Sequence, residues 1–301
     1  MLQLGRSRET AEKASRSRET LQVFVNTVLG EAWKDDTALP LDADVLYARR
    51  EPFGAEVPMG ACLLTAGADV QADRIEVEIV GWGDGEESWS VGYHVLYGDT
   101  GQPEVWSDLD RLLGRQWKHE SGLELPITAA CIDAGYEMAQ VLEFCRPRLS
   151  RKVYAVKGVS GFGKPIWPRR ASKGVHRGEF FVIGVDTAKE KVYSKLRVNL
   201  PGPGFCHFPL TRERDWFDML TSERIKTRTV HGRAERYFQK PDGVRNEALD
   251  CRAYATAALH ALYMSGFKLA DQAARMKAMV AGKPQMPSAY QVYRSQFVAR
   301  R

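Results

Sequence analysis

The sequence predicts a mixed α/β fold in which an antiparallel three-strand meander is followed by βαβ units. The meander is indicated by IEVEIVGW, where apolar and acidic residues alternate, and by the turn sequence GDGEES that follows it. The βαβ units are indicated by PITAACIDAGY, whose apolar run is continuous as in a strand covered on both faces, and by helix-like segments on either side of it.

The elements are expected in a definite order along the chain. LLTAGADV, IEVEIVGW and WSVGYHVLY are the strands of the meander, followed by a helix at LDRLLGRQW and a buried strand at PITAACIDAGY. MAQVLEFCRPRL is predicted as a helix that ends near Pro147, and KVYAVKG and EFFVIGV as further strands. A helix over DTAKEKVYSKLRV is expected to be capped by Asp186, and the long helix NEALDCRAYATAALHALYM by Asn246. Residues 200–245 match no pattern well enough to predict an element.

One folded domain with an extension at each end is predicted. Residues 1–59 form a lead-in and a linker that packs on the domain, and they contain the pentapeptide RSRET twice, too few copies for a repeat fold. Residues 60–265 form the domain itself. Residues 266–301 form a basic tail, in which seven Lys and Arg residues stand against one Asp.

Composition limits the class of protein. A formal net charge of +5 over 301 residues is compatible with a nucleic-acid partner and does not require one. The five cysteines are scattered and form no C-x-x-C pair, which argues against a zinc site and for reduced thiols. No apolar stretch approaches the ~20 residues of a membrane helix, and the charged N-terminus lacks the apolar core of a signal peptide. We therefore expect a soluble, intracellular protein with no membrane partner.

A nucleotide-binding loop is the first motif to consider, because GVSGFGKP fits the pattern G-x-x-x-x-G-K at Gly158, Gly163 and Lys164. A working phosphate loop needs Ser or Thr after the lysine and then a helix. Pro165 and Pro168 meet neither requirement. We predict a basic, glycine-rich loop without ATPase function.

Three aspartates occupy positions where a charged side chain is costly. Asp69 ends the apolar strand LLTAGADV, Asp133 ends the buried strand PITAACID, and Asp250 lies in the first turns of the long, mainly apolar helix. Burial disfavours a charged carboxylate, and three carboxylates close together repel one another unless a cation compensates them. Glu247 lies three residues before Asp250 and can face the same side of the helix.

Divalent metal ions would resolve this cost. Mg²⁺ prefers hard oxygen ligands, and two ions ~3.5 to 4 Å apart can hydrolyse a phosphodiester. The spacing alone leaves open that these acids are helix caps and turn formers.

The order of these acids resembles a known arrangement. Acids on the first strand of a meander, on a later strand after a helix and on a closing helix are typical of ribonuclease H-like nucleases. Five segments then resemble the nuclease half of the large terminase subunit of lambda-type tailed bacteriophages: GADVQADRIEVEIVGWG, ACIDAGY, VYAVKGVSG, IGVDTAKEKVYSKL and RNEALDCRAYATAAL. The resemblance covers roughly residues 24–263, including FVNTVLGEAW, which is similar to the passage that joins the family's ATPase to its nuclease.

The resemblance implies a ribonuclease H-like endonuclease that cuts concatemeric viral double-stranded DNA during genome packaging in the host cytoplasm. It implies two Mg²⁺ or Mn²⁺ ions as cofactors, with Asp69 and Asp250 bridging or sharing them, Asp133 holding one ion, and Glu247 as an additional ligand. It also implies two protein partners, the terminase small subunit and the portal protein.

The family's ATPase motor is expected before FVNTVLGEAW, where only residues 1–23 stand. We therefore expect an isolated C-terminal fragment or the product of a truncated gene. Two other interpretations stay open. One is a different ribonuclease H-like enzyme, such as a resolvase or a transposase-type strand transferase. The other is a non-catalytic module that binds DNA or the portal.

Basic, aromatic and histidine side chains receive weaker predictions. Four basic residues are candidates for contact with DNA phosphates, with a solvated basic surface as an equal alternative: Lys157, Lys164, Arg169 and Arg170. Trp167, Trp216 and Phe217 suit core packing better than base stacking. His176 and His231 are candidate general bases, although water activated by a metal ion needs no histidine. Asp186 as a further member of the acidic group is less favoured than Asp186 as a helix cap.

Overall fold

The structure, a computed structural model, describes residues 41–173, 178–230 and 233–282. The RSRET repeat, FVNTVLGEAW, His176 and His231 lie outside the described residues. The strands are β1 Leu63–Val70, β2 Arg74–Trp82, β3 Ser88–Tyr97, β4 Gln116–Lys118, β5 Glu124–Asp133, β6 Val153–Val159, β7 Ser172–Lys173, β8 Glu179–Gly184, β9 Cys206–His207, β10 Arg224–Val230 and β11 Arg233–Gln239. The helices are α1 Ala43–Ala48, α2 Pro103–Gly114, α3 Met138–Cys145, α4 Val185–Leu196, α5 Arg214–Leu220, α6 Glu247–Met264 and α7 Leu269–Ala281.

A nine-stranded sheet forms the centre of the fold, in the order β7-β8-β6-β5-β1-β2-β3-β9 with β4 paired to β5. β1, β2 and β3 are antiparallel neighbours, as the alternating pattern predicts. β5, β6 and β8 continue the sheet from β1 in parallel. α3 lies between β5 and β6, whereas the glycine-rich loop and β7 lie between β6 and β8. The prediction of a mixed α/β, ribonuclease H-like sheet is therefore confirmed.

Helices cover both faces of this sheet. On one face α2 and α3 pack on alternate residues of the central strands, and the buried side chains include Val105, Leu109, Val141, Ala68 and Ile75. On the other face α6 and α7 pack on the intervening residues, such as Val80, Cys131 and Val156. Because successive strand residues point to opposite faces, each central strand contributes to both cores. Full burial of a Val or Leu side chain stabilises the fold by ~1.5 to 3 kcal/mol.

The helix predicted at LDRLLGRQW is wrong in its last residues. α2 ends at Gly114, Arg115 is extended, and the next three residues form β4. Trp117 on β4 is buried, with its ring centroid 5.8 Å from that of His94 on β3. Packing of this side chain overrides the helical pattern.

Both predicted helix caps are also corrected. α4 begins after Gly184, so Asp186 lies inside its first turn and does not cap it. Asn246 does occupy the position before α6, but its side chain makes no capping hydrogen bond. Its amide instead donates to Glu223 Oε1 at 2.6 Å and Asp250 Oδ2 at 2.7 Å.

The region 200–245, for which the sequence predicts no element, contains β9, α5, β10 and β11. The core here holds Trp216 and Phe217, which confirms their predicted packing role. The glycine-rich loop 160–171 consists of turns and bends and leads into β7 without a helix, as expected for a loop that is not an ATPase motif.

The flanking segments that the structure describes pack on the sheet domain. Arg49, after α1, donates to the carbonyl oxygen of Leu196 at 2.7 Å. α7 lies in the region predicted as a basic tail and buries Leu269, Ala273 and Met276. The domain boundaries at residues 60 and 265 stay predictions. None of the helices within the described ranges is long and apolar enough to cross a membrane.

Candidate active site

Asp69 and Asp133 lie side by side at the same edge of the sheet. β1 and β5 are parallel neighbours, and their register pairs Ala68 with Ile132, the residues just before the two aspartates. Both strands end there, so the two aspartates lie at adjacent carboxyl ends of the sheet. Their backbones are about 5 Å apart, the usual spacing of neighbouring strands. The structure therefore brings together the first two predicted site residues.

A glycine on β1 allows α6 to bring Asp250 to the same place. A Cβ atom on Gly67 would lie 2.0 Å from the carbonyl oxygen of Cys251 and 2.4 Å from the backbone nitrogen of Ala255. The Thr65 hydroxyl donates to the carbonyl oxygen of Ala255 at 2.8 Å. α6 thus crosses β1 in direct backbone contact, and its first turn, which carries Asp250, lies over the strand end occupied by Asp69.

The three carboxylates interact electrostatically. Asp69 is only 5% exposed, and burial followed by the charges of Asp250 and Asp133 raises its pKa well above the ordinary value. Burial is also the main cause that raises the pKa of Asp133 to about 6, although the backbone N–H of Gly135 and the hydroxyl of Tyr254 stabilise its charged form. A site of this kind gains stability by binding a proton or a cation.

Each aspartate has a neutral or cationic partner that orients it. The amide of Gln71 donates to Asp69 Oδ2 at 2.5 Å. Lys189 Nζ lies 2.7 Å from Asp250 Oδ1 and 2.6 Å from Glu223 Oε1. Lys189 is buried, and the charges of Asp250 and Glu223 raise its pKa despite that burial.

Lys189 and Glu223 are site residues that sequence reasoning missed. Lys189 follows Ala188 in a helix whose apolar stripe is buried, and a lysine beside such a stripe is a detectable signal. Glu223 carried no signal, because the segment around it matched no pattern. It comes to the site only because α5 and β10 bring it next to α4 and α6.

Glu247 lies next to this group but differs from the aspartates in its partners. Its carboxylate is 2.9 Å from Arg74 Nη2 and 3.3 Å from Arg245 Nε. It contributes to the raised pKa of Asp69, so it is close to the site. Two guanidinium groups already neutralise it, which makes it a weaker ligand candidate than the three aspartates.

No ready-made metal centre is present among residues 41–173, 178–230 and 233–282, where no three His, Cys, Asp or Glu side chains form a group able to hold an ion. Gln71 and Lys189 instead engage the oxygens of Asp69 and Asp250. The chemistry of the donors is nevertheless that of a hard-cation site, since three carboxylates come together and Lys189 pairs with one of them, Asp250.

The other predicted contacts are more dispersed. Strand alternation places Lys157 on the face of α2 and α3, because Val156 packs on the opposite, α6 face that carries Asp133. Lys164 donates to the carbonyl oxygen of Ser160 within its own loop. Arg169 and Arg170 are exposed.

Asp186 and Trp167 hold the glycine-rich loop in place. The carboxylate of Asp186 accepts hydrogen bonds from the Ser160 hydroxyl and the Gly161 N–H, both at 2.7 Å. Trp167 is buried and stacks on Phe181 with ring centroids 4.4 Å apart. Asp186 therefore serves the loop, and Trp167 is a core residue as predicted.

Known proteins similar to this chain agree with the geometry. The family described as "Terminase large subunit gpA, endonuclease domain" matches residues 3–271. The large terminase subunit of Escherichia phage lambda is 36% identical over 251 residues, and that of Enterobacteria phage P21 is 32% identical over 252 residues. Each match covers 79% of this chain and 38% of the phage protein, so the chain spans less than two fifths of the curated relatives' length. No solved structure matches the chain.

Proposed function

The chain belongs to the family of terminase large-subunit gpA endonuclease domains, and from this premise we propose that it hydrolyses phosphodiester bonds of double-stranded viral DNA during genome packaging. One observation carries the proposal. Asp69, Asp133 and Asp250, from two adjacent strand ends and a closing helix, converge in a buried site, where the pKa values of Asp69 and Asp133 are raised. Acids with perturbed pKa values in one place are typical of catalytic sites.

We propose Mg²⁺ or Mn²⁺, two ions in all, as the cofactor. Asp69, Asp133 and Asp250 would hold them, with Glu247 as the weaker candidate. When bound, such ions supply the charge that activates water and neutralises the leaving oxygen.

The chain's own residues would orient the carboxylates for this role. Tyr254 and the Gly135 N–H hold Asp133, and Gln71 holds Asp69. Lys189 and Asn246 bind different oxygens of Asp250, which fixes the plane of that carboxylate. Ligands fixed in this way lose little freedom when a cation binds.

Partners and location follow from family membership alone. We propose the terminase small subunit and the portal protein as binding partners and the host cytoplasm as the place of action. An ATPase motor on the same or another chain would be required for translocation.

Nicking of supercoiled plasmid tests the proposal directly. The purified chain is expected to nick DNA with Mg²⁺ or Mn²⁺ but not with EDTA. Asp69→Asn is expected to lower the rate by about a thousandfold or more, equivalent to ~4 kcal/mol, while Asp108→Asn, an acid on α2 whose side chain is 47% exposed, leaves it unchanged. DNA retention in EDTA, measured by gel shift, should be equal in both variants. Retained cleavage in Asp69→Asn would remove this residue from the site, and binding without cleavage would favour the non-catalytic module.

A further inference from the structure

The hairpin formed by β10 and β11 is a separate two-stranded sheet with two different faces. Its inner face carries Ile225 and Phe238, which are directly paired in register. Phe238 is buried, stacks on Phe162 with ring centroids 5.5 Å apart, and meets Tyr193 edge-on at 5.1 Å. These contacts fix the hairpin against the core, so its outer face has a defined direction.

The outer face is exposed and basic. Arg224, Lys226 and Arg228 occupy alternate positions of β10, which places all three on this face, and all three are exposed. Their partners on β11 are Gln239, Tyr237 and Glu235.

Only one of these partners is acidic. Glu235 lies 3.1 Å from Arg228, whose guanidinium also lies 4.8 Å from the centre of the Tyr237 ring. Lys226 has no ion-pair partner among the residues that the structure describes. The face therefore keeps a net positive charge.

This basic face begins at the acidic site. Glu223, the residue before β10, is 2.6 Å from Lys189 Nζ, and Lys189 is 2.7 Å from Asp250. Since an antiparallel strand rises about 3.4 Å per residue, Arg224 to Arg228 form a row of cations about 14 Å long that leads away from the site.

A row of cations on a β-ribbon matches the chemistry of a duplex backbone. Each DNA strand carries one phosphate per 3.4 Å of helix axis, and the major groove admits a two-stranded ribbon. The acidic site by itself repels phosphates, so a substrate needs cationic contacts beside it. We propose that the outer face of the β10–β11 hairpin, through Arg224, Lys226 and Arg228, binds the phosphate backbone of duplex DNA next to the point of cleavage. This inference rests on the proposed nuclease function and adds the surface that holds its substrate.

Salt-dependent DNA binding tests the hairpin. Binding of the full chain to a short duplex is measured in EDTA at several salt concentrations for the wild type, K226Q/R228Q, and the control R111Q/R146Q. The control removes the same charge from exposed positions on α2 and directly after α3, which cover the other face of the sheet. K226Q/R228Q is expected to weaken binding about 10-fold or more at 0.1 M salt and to lower the slope of log K against log salt by about 2, since each lost contact removes about 0.9. The control should keep the wild-type slope, and thermal unfolding checks that all three proteins fold alike.

The outcomes separate this inference from the proposed function. An unchanged slope in K226Q/R228Q overturns the hairpin inference even if the wild type nicks plasmid. An equal loss in the control also overturns it, because the effect is then one of net charge. A specific loss in K226Q/R228Q supports it even if no variant cuts DNA, in which case the nuclease proposal fails alone. If the wild type binds a poly-glutamate peptide through this face and no duplex, the surface serves an acidic protein partner and the DNA assignment is wrong.

Discussion

Two groups of acids lie next to each other on the α6 face of the sheet, and they differ in their charged neighbours. Arginines compensate the first group, Glu76 and Glu78. The second group consists of the three aspartates of the candidate site. Asp69 on β1 is directly paired in register with Glu76 on β2, so their side chains are neighbours. Glu76 is fully buried and receives Arg74 at 2.6 Å, together with Arg245 and the hydroxyl of Tyr93. Within the described part of the chain, Asp69 receives only the neutral amide of Gln71.

Glu78 extends the compensated group. It is fully buried, 2.8 Å from Arg252 Nη2, and accepts a hydrogen bond from the Ser90 hydroxyl at 2.8 Å. The charged form of the aspartates is disfavoured instead, since burial and mutual repulsion raise the pKa values of Asp69 and Asp133. Burial of an acid therefore does not mark function by itself. The three aspartates, which have no guanidinium partner among the described residues, are the acids that we propose as cation ligands.

The largest effect on stability is expected at Glu78, one of the acids compensated by arginine. Glu78→Gln leaves Arg252 buried without its counter-charge, and we expect the free energy of unfolding to fall by about 3 to 5 kcal/mol. Urea denaturation at neutral pH measures this. Glu143→Gln, an exposed acid on α3, is the control and should change stability by less than about 0.5 kcal/mol. A loss below about 1 kcal/mol for Glu78→Gln would show that the two groups do not differ in the way described.

A smaller effect is expected at Lys189, the lysine that pairs with Asp250. Lys189→Met leaves Asp250 and Glu223 uncompensated, and because the Asp250 side chain is 16% exposed and partly hydrated, we expect a loss of about 2 to 4 kcal/mol in EDTA. Mn²⁺ should raise the melting temperature of this variant more than that of the wild type, because the cation then replaces the missing charge. Lys189→Arg should restore most of the metal-free stability. An identical metal response in wild type and Lys189→Met would contradict the role of Lys189 as the site's resident cation.

The smallest effect is expected at Asp133, where substitution should increase stability. The pKa of Asp133 is raised to about 6 from an ordinary 3.8, so between these values the folded chain holds a proton that the unfolded chain has released. The free energy of unfolding therefore falls as pH rises through this window. Asp133→Asn has no carboxyl group to titrate here, so its free energy of unfolding does not fall in this window. In EDTA at pH 8 we expect it to be more stable than the wild type by about 1 to 2 kcal/mol, with little difference at pH 4. Denaturant midpoints at the two pH values measure this, and a less stable variant at pH 8 would place Asp133 with the compensated acids.

The candidate site was predicted in part. Asp69, Asp133 and Asp250 stand out in the sequence because each is an acid at the end or start of an apolar element, and the structure brings them together. Lys189 and Glu223 complete the group, but nothing local to their sequence segments, TAKEK and TSERI, connects them. The predicted cap at Asp186 and the end of the LDRLLGRQW helix failed because hydrogen bonds to a distant loop and the burial of Trp117 outweighed local preference.

The sequence by itself determined the central strands and the helices that pack on them, but not the short strands β4 and β9, since only the longer elements carry an apolar periodicity over neighbouring residues. It also determined which acids end those elements. Only the tertiary structure decided which acids are compensated. Arg252 reaches Glu78 across 174 positions of sequence, and Arg245 reaches Glu76 across 169. The physical reason is that the charge state of a buried group depends on the ions within a few ångströms in space, and periodicity along the chain does not specify which distant residues those are.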